Sequence, residues 1–395
     1  MAGLHSKMGE DLMSKQVSSV RNNSPLIDYA LKGLDHCWLP EFGRWSHIYH
    51  LDHRKQPNES VPTSDVFYTL NVLVGMARVG QVPSHVNLSE TFLRNVGLLP
   101  TLPVNKYAFG VALWASAELG IAIPDSVLHH IDGVVREKDR WNSFRAQDLG
   151  MILVGVVAQA KKDGAKWTAT ATALFQFLLD RYHAASGLFF DAAHGPRRRF
   201  GSFATQTYLT LACYAYGELM SDDRAIKIAN ACTRKLIERQ GPQGEWPWFF
   251  DAESGRVLDF YEVYSVHQYG MAPAFLECAE RHGVFEARNA IIRGFNWVLG
   301  NNQLSKSMLV PELHLSIRSQ VRKGELHTKN WRVLRAVRNS MLGFEAALVD
   351  PSKLELRLEC RSYELGWILW SFGRRSDLPE LTHSEMFMER SASVG

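Results

Sequence analysis

Residues 236–280 read LIERQGPQGEWPWFFDAESGRVLDFYEVYSVHQYGMAPAFLECAE. A helical pattern ends near Arg239. Gly241, Pro242 and Gly244 then turn the chain, glycine because it takes backbone angles that other residues resist. The triplet Trp246-Pro247-Trp248 follows, and a loop carries Asp251, Asp259, Tyr261 and Glu262. A second helix is expected from near Tyr264, with His267 and Gln268 in its first turn. Aromatics, carboxylates and one histidine therefore converge where a loop enters a helix.

The same plan occurs earlier in the chain. Leu179, His183, Gly187 and Phe189 have the spacing of Leu236, Gln240, Gly244 and Trp246, 57 residues later. Phe190-Asp191-Ala192 returns as Phe250-Asp251-Ala252, and Gln206 corresponds to Gln268 at the next helix start. Ala146-Gln147-Asp148 reads as an earlier copy of that start, and Arg361-Ser362-Tyr363-Glu364 as a weaker final one. Self-similarity at a fixed period is the mark of a repeat architecture.

Outward from this stretch, apolar residues recur at three- and four-residue spacing, and Gly or Pro interrupts nearly every junction. Ser24 is expected to cap a first helix over 25–37, and Thr63 or Ser64 a second over 65–79. Further helices are expected over 87–97, 106–119, 125–136, 145–161, 167–183, 203–220, 222–239, 264–281, 284–300, 330–348 and 361–373. Long loops precede alternate helices. The expectation is an all-α fold, an (α/α)6 toroid of helical hairpins in two concentric rings. Its long loops gather over the N-terminal ends of the inner helices. Residues 25–375 form this one domain, between a flexible arm at 1–24 and a flexible tail at 376–395.

Composition narrows the function. The 395 residues carry a formal net charge of +3, with no basic block beyond Arg197–Arg199. That lacks the basic stripe of a nucleic-acid binder. No apolar run approaches the roughly 20 residues of a membrane span. No signal sequence is evident near Met1, and the five scattered cysteines read as free thiols, so a cytoplasmic location is expected.

Two resemblances follow from the motifs. Gln240-x3-Gly244-x-Trp246 resembles the QW motif of squalene-type terpenoid cyclases, which implies a helical toroid. The Asp-x-Asp-Asp acid motif of those enzymes is missing, Asp222-Asp223 being nearest. The Trp-Pro-Trp to Tyr-Ser-Val-His-Gln stretch and the closing Glu-Cys-Arg-Ser-Tyr-Glu-Leu-Gly-Trp are similar to bacterial toroid proteins of polysaccharide metabolism. That resemblance implies a carbohydrate-active hydrolase, lyase or epimerase. A prenyl-binding enzyme and a non-catalytic glycan-binding protein are the alternatives.

The candidate site gathers residues at inner-helix starts. Tyr264 and His267, three residues apart, suit an acid/base pair. Glu262, Asp148, Glu364, Asp65 and Asp251 offer carboxylates for glycosidase chemistry. Trp246, Trp248, Tyr261 and Tyr363 offer surfaces for a ring to stack on. Gln206 and Gln268 offer hydrogen bonds, and Arg145, Arg318 or Arg361 offers a fork for a uronate carboxylate. The helix dipole is expected to keep His267 neutral. His47, His50 and His53 stand at steps of three, and a polar loop is favoured there over a metal site. No cofactor or metal is expected. The expected partner is a small-molecule or oligosaccharide substrate, and the oligomeric state is open.

Overall fold

The computed structural model describes residues 24–326 and 330–388. The expected arm thus lies, except for Ser24, outside the described residues. The helices in chain order are α1 (Pro25–Cys37), α2 (Pro62–Val79), α3 (Leu88–Val96), α4 (Tyr107–Leu119), α5 (Asp125–Val135), α6 (Ala146–Ala160), α7 (Gly164–Tyr182), α8 (Phe203–Met220), α9 (Asp223–Arg239), α10 (Ala272–Arg281), α11 (Glu286–Leu299), α12 (Asn330–Leu342) and α13 (Ser362–Phe372). A π-helical turn, His267–Met271, leads directly into α10.

Six of these close a ring. α2 packs on α4, α4 on α6, α6 on α8, α8 on α10, α10 on α13, and α13 returns to α2. Their sequences are apolar nearly all round, as in α4, where Ala108 to Ala117 are all buried. A helix hydrophobic on every side belongs in an interior. The outer helices carry one apolar stripe each. In α9 only Ala225, Ala229, Cys232, Thr233 and Leu236 are buried, and most of the remaining residues are charged or polar. The protein therefore has the (α/α)6 toroid fold.

The inner ring is tight because glycine permits it. A Cβ on Gly110 of α4 would lie 2.2 Å from the Met151 carbonyl of α6, and one on Gly155 would lie 2.1 Å from the Gly110 carbonyl. Backbones that approach this closely exclude any larger residue, so α4 and α6 are locked together by steric fit.

Loops at the N-terminal ends of the inner helices contain short antiparallel ribbons. Residues 200–202 pair with 249–251, which pair with 256–259. Residues 319–322 lie between 263–264 and 354–357, and 48–50 between 58–59 and 359–360. These ribbons run directly into α2, α8, the π turn and α13 and fix where each begins.

Four expectations are corrected. α2 starts at Pro62, and its first turn is closed by Asp65, whose carboxylate accepts the Val61 N–H at 3.1 Å; neither Thr63 nor Ser64 is the cap. Ser24 occupies the N-cap of α1, but its hydroxyl makes no capping bond. The helix expected over 330–348 ends at Leu342 and is not part of either ring. This α12 lies on the 249–259 ribbon, with Asn339 donating to the Leu258 carbonyl at 3.1 Å and Ser340 to Asp251 at 3.1 Å. Residues 376–388 are not a frayed tail: Leu378, Leu381 and Phe387 are buried, and Phe387 packs edge-on to Tyr29 with ring centres 5.2 Å apart.

Candidate functional site

The N-terminal mouth of the inner ring is organised around Arg318. Its guanidinium stands 4.9 Å from the centre of the Tyr264 ring and pairs with Glu359 and Glu364, each at 3.2 Å. Its field also reaches Tyr68, Tyr363, His47 and His267. Tyr68 of α2 and Tyr363 of α13 are neighbours, with ring centres 4.5 Å apart, and Phe67 meets Tyr107 of α4 at 4.2 Å. Tyrosines from three inner helices thus share one half-buried aromatic wall. Burial raises the pKa of each phenol, so all stay neutral.

His267 is in the inner layer, its ring 5.0 Å from Tyr264 and 4.6 Å from Phe203. Its pKa is lowered to about 3, first by burial and then by Arg318. The imidazole is neutral as expected, but desolvation and a neighbouring cation cause this rather than the helix dipole. Nδ1 of His267 has no hydrogen-bond partner among the described residues. His47 is a second histidine of the same kind. It faces Tyr68 at 5.1 Å and the Arg361 guanidinium, and burial with Arg361 lowers its pKa to about 3.

The carboxylates divide by how fully they are used. Glu262 is buried and meets Arg332 at 2.8 Å, Arg357 at 2.7 Å, the Ser319 hydroxyl, and the Tyr264 hydroxyl at 3.2 Å. Although burial acts to raise its pKa, the nearby Arg318 guanidinium, with Arg357, the Ser319 hydroxyl and Arg332, holds it below the usual glutamate range. Asp148 accepts the N–H of Arg145 at 3.1 Å and of Tyr107 at 3.0 Å, so it caps α6 and ties it to α4. Asp65 accepts from Ser60 and Val61. Asp251 holds Arg199 at 2.9 Å and two loop N–H groups. Glu364 differs. It is fully buried, one oxygen has no hydrogen-bond partner among the described residues, and its pKa is pushed up to about 8. Burial is the main cause and outweighs the opposing field of Arg318, so the carboxyl holds its proton despite the 3.2 Å contact.

Several residues expected to bind substrate are structural. Gln206 is buried and bonds both backbone groups of Phe189. Gln268 accepts the Trp246 N–H at 3.2 Å and donates to the Tyr264 carbonyl at 3.1 Å. Trp246 is wholly buried against Phe203, and Tyr261 is wholly buried under Arg322, so neither offers a face to a ligand. Gln240 donates to the carbonyls of Gly244 and Ala290, which explains the QW-like spacing as a loop closure. Asp222 caps α9 through the Arg224 and Ala225 N–H groups. Arg145 is exposed at the α6 N-cap. Arg361 pairs with Glu359 at 2.8 Å and reaches His47 at the mouth. Trp248 is half-buried, stacked on Phe249 with the Arg332 guanidinium 5.3 Å from its ring centre. Arg332 thereby places α12 over this mouth. His50 pairs with Glu59 at 2.8 Å, and no group of three metal-binding side chains forms among the described residues.

Sequence reading missed His47, Tyr68, Tyr107 and Arg332 as site residues. Tyr68 and Tyr107 stand in the first two turns of inner helices, the position that drew attention to Tyr264 and Tyr363. Two spaces lie elsewhere. A groove of about 650 Å³ runs outside, between His183–Gly187 and α9, and a cavity of about 500 Å³ opens at the opposite mouth of the ring.

Comparison with known proteins agrees with this architecture. No protein-family model matches the chain, and no curated protein matches it significantly. Solved structures do. A cellobiose 2-epimerase from Bacillus thermoamylovorans superposes with a TM-score of 0.60 at 9% identity, over 89% of this chain and 99% of that one. An unsaturated glucuronyl hydrolase variant from Streptococcus agalactiae gives 0.57 at 12% identity, over 88% and 90%. An inactive variant of an α-1,6-mannanase from Salegentibacter sp. gives 0.55 at 10%, over 88% and 98%. Similarity at this identity concerns the fold; chemistry has to be argued from the site.

Proposed function

We propose that this protein is a carbohydrate-active enzyme that moves a proton on an acidic sugar at the N-terminal mouth of the toroid, in an epimerase or lyase reaction. The observation that carries this reading is the grouping of two neutral histidines and the tyrosines Tyr68, Tyr264 and Tyr363 around Arg318. The related fold of sugar-acting enzymes, a glucuronyl hydrolase and an epimerase among them, supports the substrate class.

In this mechanism Arg318 receives the sugar carboxylate, and the Tyr68–Tyr363 wall receives the ring. His267 takes the C–H proton next to the carboxylate. The electron pair of that bond moves into the carboxylate to give an enediolate, which Arg318 stabilises electrostatically. Reprotonation from the other face, by the phenol of Tyr68 or Tyr363, inverts the centre. Expulsion of the neighbouring C4–O group, protonated by Tyr264, gives an unsaturated sugar instead. A histidine with a pKa near 3 is a weak base; an anionic ligand on Arg318 offsets the cation, the second cause of that depression, while burial, the first, remains.

A hydrolase is the second reading, favoured by Glu364, whose pKa of about 8 suits a general acid. It needs a second carboxylate, and Glu262, Asp148, Asp65 and Asp251 are already held by caps or arginines. The test is incubation with uronic-acid oligosaccharides and reducing disaccharides in D2O, followed by NMR. Deuterium at a sugar carbon supports proton transfer. New reducing ends with an unsaturated C4=C5 end support the lyase, and new reducing ends with neither deuterium nor that double bond support the hydrolase. Binding without either change would leave a glycan-binding protein and overturn the enzymatic reading.

A further inference from the structure

The cavity at the C-terminal mouth of the inner ring, on the far side from Arg318, holds about 500 Å³ and is walled by all six inner helices. Its chemistry is not that of a packed core. Trp114 and Trp370 meet edge to face, with ring centres 4.5 Å apart, and Trp370 remains half-buried at the wall. Arg78 lies 4.4 Å from the centre of the Trp370 ring and grips Glu277 through two contacts of 2.7 and 2.8 Å. Its Nε is buried with no hydrogen-bond partner among the described residues.

Charge in the cavity is unbalanced. Its carboxylates are Glu118, Glu218 and Glu277, whereas its cations are Arg78, Lys161, Lys162, Arg281 and Arg374. Glu277 is shared by Arg78 and Arg281, and Glu218 by Arg281 and His282. Lys161, Lys162 and Arg374 have no ion-pair partner among the described residues and are exposed. Cations near helix C-termini do offset the carbonyl ends of the dipoles. That role does not need a cavity of this size between them, nor paired indoles in its wall.

We infer that this mouth is a second binding site, separate from the one at Arg318, for a small organic anion carrying a ring that stacks on tryptophan. The anion is held by Lys161, Lys162 and Arg374 and the ring by Trp370. Sugar phosphates, sugar acids and nucleotides all share this chemistry. A ligand of this class fits the volume, since small-molecule sites run from about 300 to 1,000 Å³.

The test is calorimetry on the full chain with glucose 6-phosphate, glucuronate and AMP, and with glucose as the uncharged control. Binding of at least one anion, with affinity at least tenfold above that of glucose, is expected. The double variant Lys161→Glu/Arg374→Glu should lose that binding at least tenfold while keeping the wild-type helical circular dichroism. Lys162→Glu provides an independent second variant should the double one misfold. His267→Ala, at the other mouth, should bind the same anion unchanged. The response to AMP against glucose 6-phosphate tells a nucleotide from a sugar anion. Failure of all three anions to bind at millimolar concentration would overturn the inference. Equal binding by wild type and the charge-reversed variants, or loss of binding in His267→Ala, would do the same.

Discussion

Gln206 holds Phe189 by both of its backbone groups: Oε1 accepts the Phe189 N–H at 2.8 Å, and Nε2 donates to the Phe189 carbonyl at 2.7 Å. One repeat later, Gln268 accepts the N–H of Trp246, the residue equivalent to Phe189. The glutamine at these two inner-helix starts therefore clamps the turn that leads out of the preceding outer helix. Gln206→Ala leaves a buried N–H and carbonyl unpaired, each costing about 1–3 kcal/mol. A loss of roughly 2–6 kcal/mol in urea unfolding is expected, with no direct effect on ligand affinity at Arg318. Gly201→Ala should act through the same clamp, because its Cβ would fall 2.5 Å from the Gln206 amide nitrogen.

Glu262 is the buried counter-charge of Arg332 and Arg357, so Glu262→Gln leaves those guanidiniums undercompensated. Breaking one side of a buried pair costs about 3–5 kcal/mol. Because Arg332 belongs to α12, limited proteolysis should cut first within residues 320–345 in this variant. The same linkage predicts a pH effect. The Glu262 pKa is lowered in the fold, so its contribution is fully present above the unfolded value of about 4.3 and lost as the pH falls through the folded one. Acid should therefore release α12, and proteolysis across pH 3–6 reads this out. Unchanged cleavage at all these values would contradict it.

Glu364 gives the opposite sign. Its folded pKa of about 8 exceeds the unfolded glutamate value of about 4.3. The folded protein keeps a proton that the unfolded chain gives up, so this group's contribution to stability declines as pH rises from about 4.3 to 8. Glu364→Gln should flatten the decline across that window while changing stability at pH 5 by no more than about 1 kcal/mol, the scale of a single hydrogen bond. Urea midpoints measured at pH 5, 6.5 and 8 check this.

The two tryptophans of Trp246-Pro247-Trp248 should separate by assay. Trp246 is wholly buried, and Trp246→Ala should destabilise by about 3–5 kcal/mol. Trp248 is half-buried at the mouth beneath Arg332, and Trp248→Ala should raise KM for a sugar substrate with a smaller loss of stability. Thermal melts alongside KM measurements distinguish the two.

The rings were legible because local signals agreed with the global fold: Gly and Pro at the junctions, apolar residues at three- and four-residue spacing, and a glutamine returning at helix starts. Such a repeat does not distinguish a residue that closes a turn from one that meets a substrate, which is why Gln206, Gln268 and Trp246 read as site residues. α12 misled differently. Its helical period is real, but Trp331, Leu334 and Met341 face outward, and what it buries is Arg332, Ala336, Asn339 and Ser340. A period reports that a face exists and not what that face meets. The His47, Tyr68 and Arg318 group was illegible for a third reason, since these residues come from distant loops and helices and meet only when α13 closes back onto α2.

The most direct test of the N-terminal mouth is the rate at which His267→Ala exchanges a sugar C–H for deuterium, compared with wild type on the same acidic sugar. Loss of one positioned base or acid costs about 10²–10⁴-fold. A fall of at least a hundredfold is predicted, with circular dichroism and the melting curve close to wild type. Exchange at the wild-type rate in a folded His267→Ala protein would contradict the account.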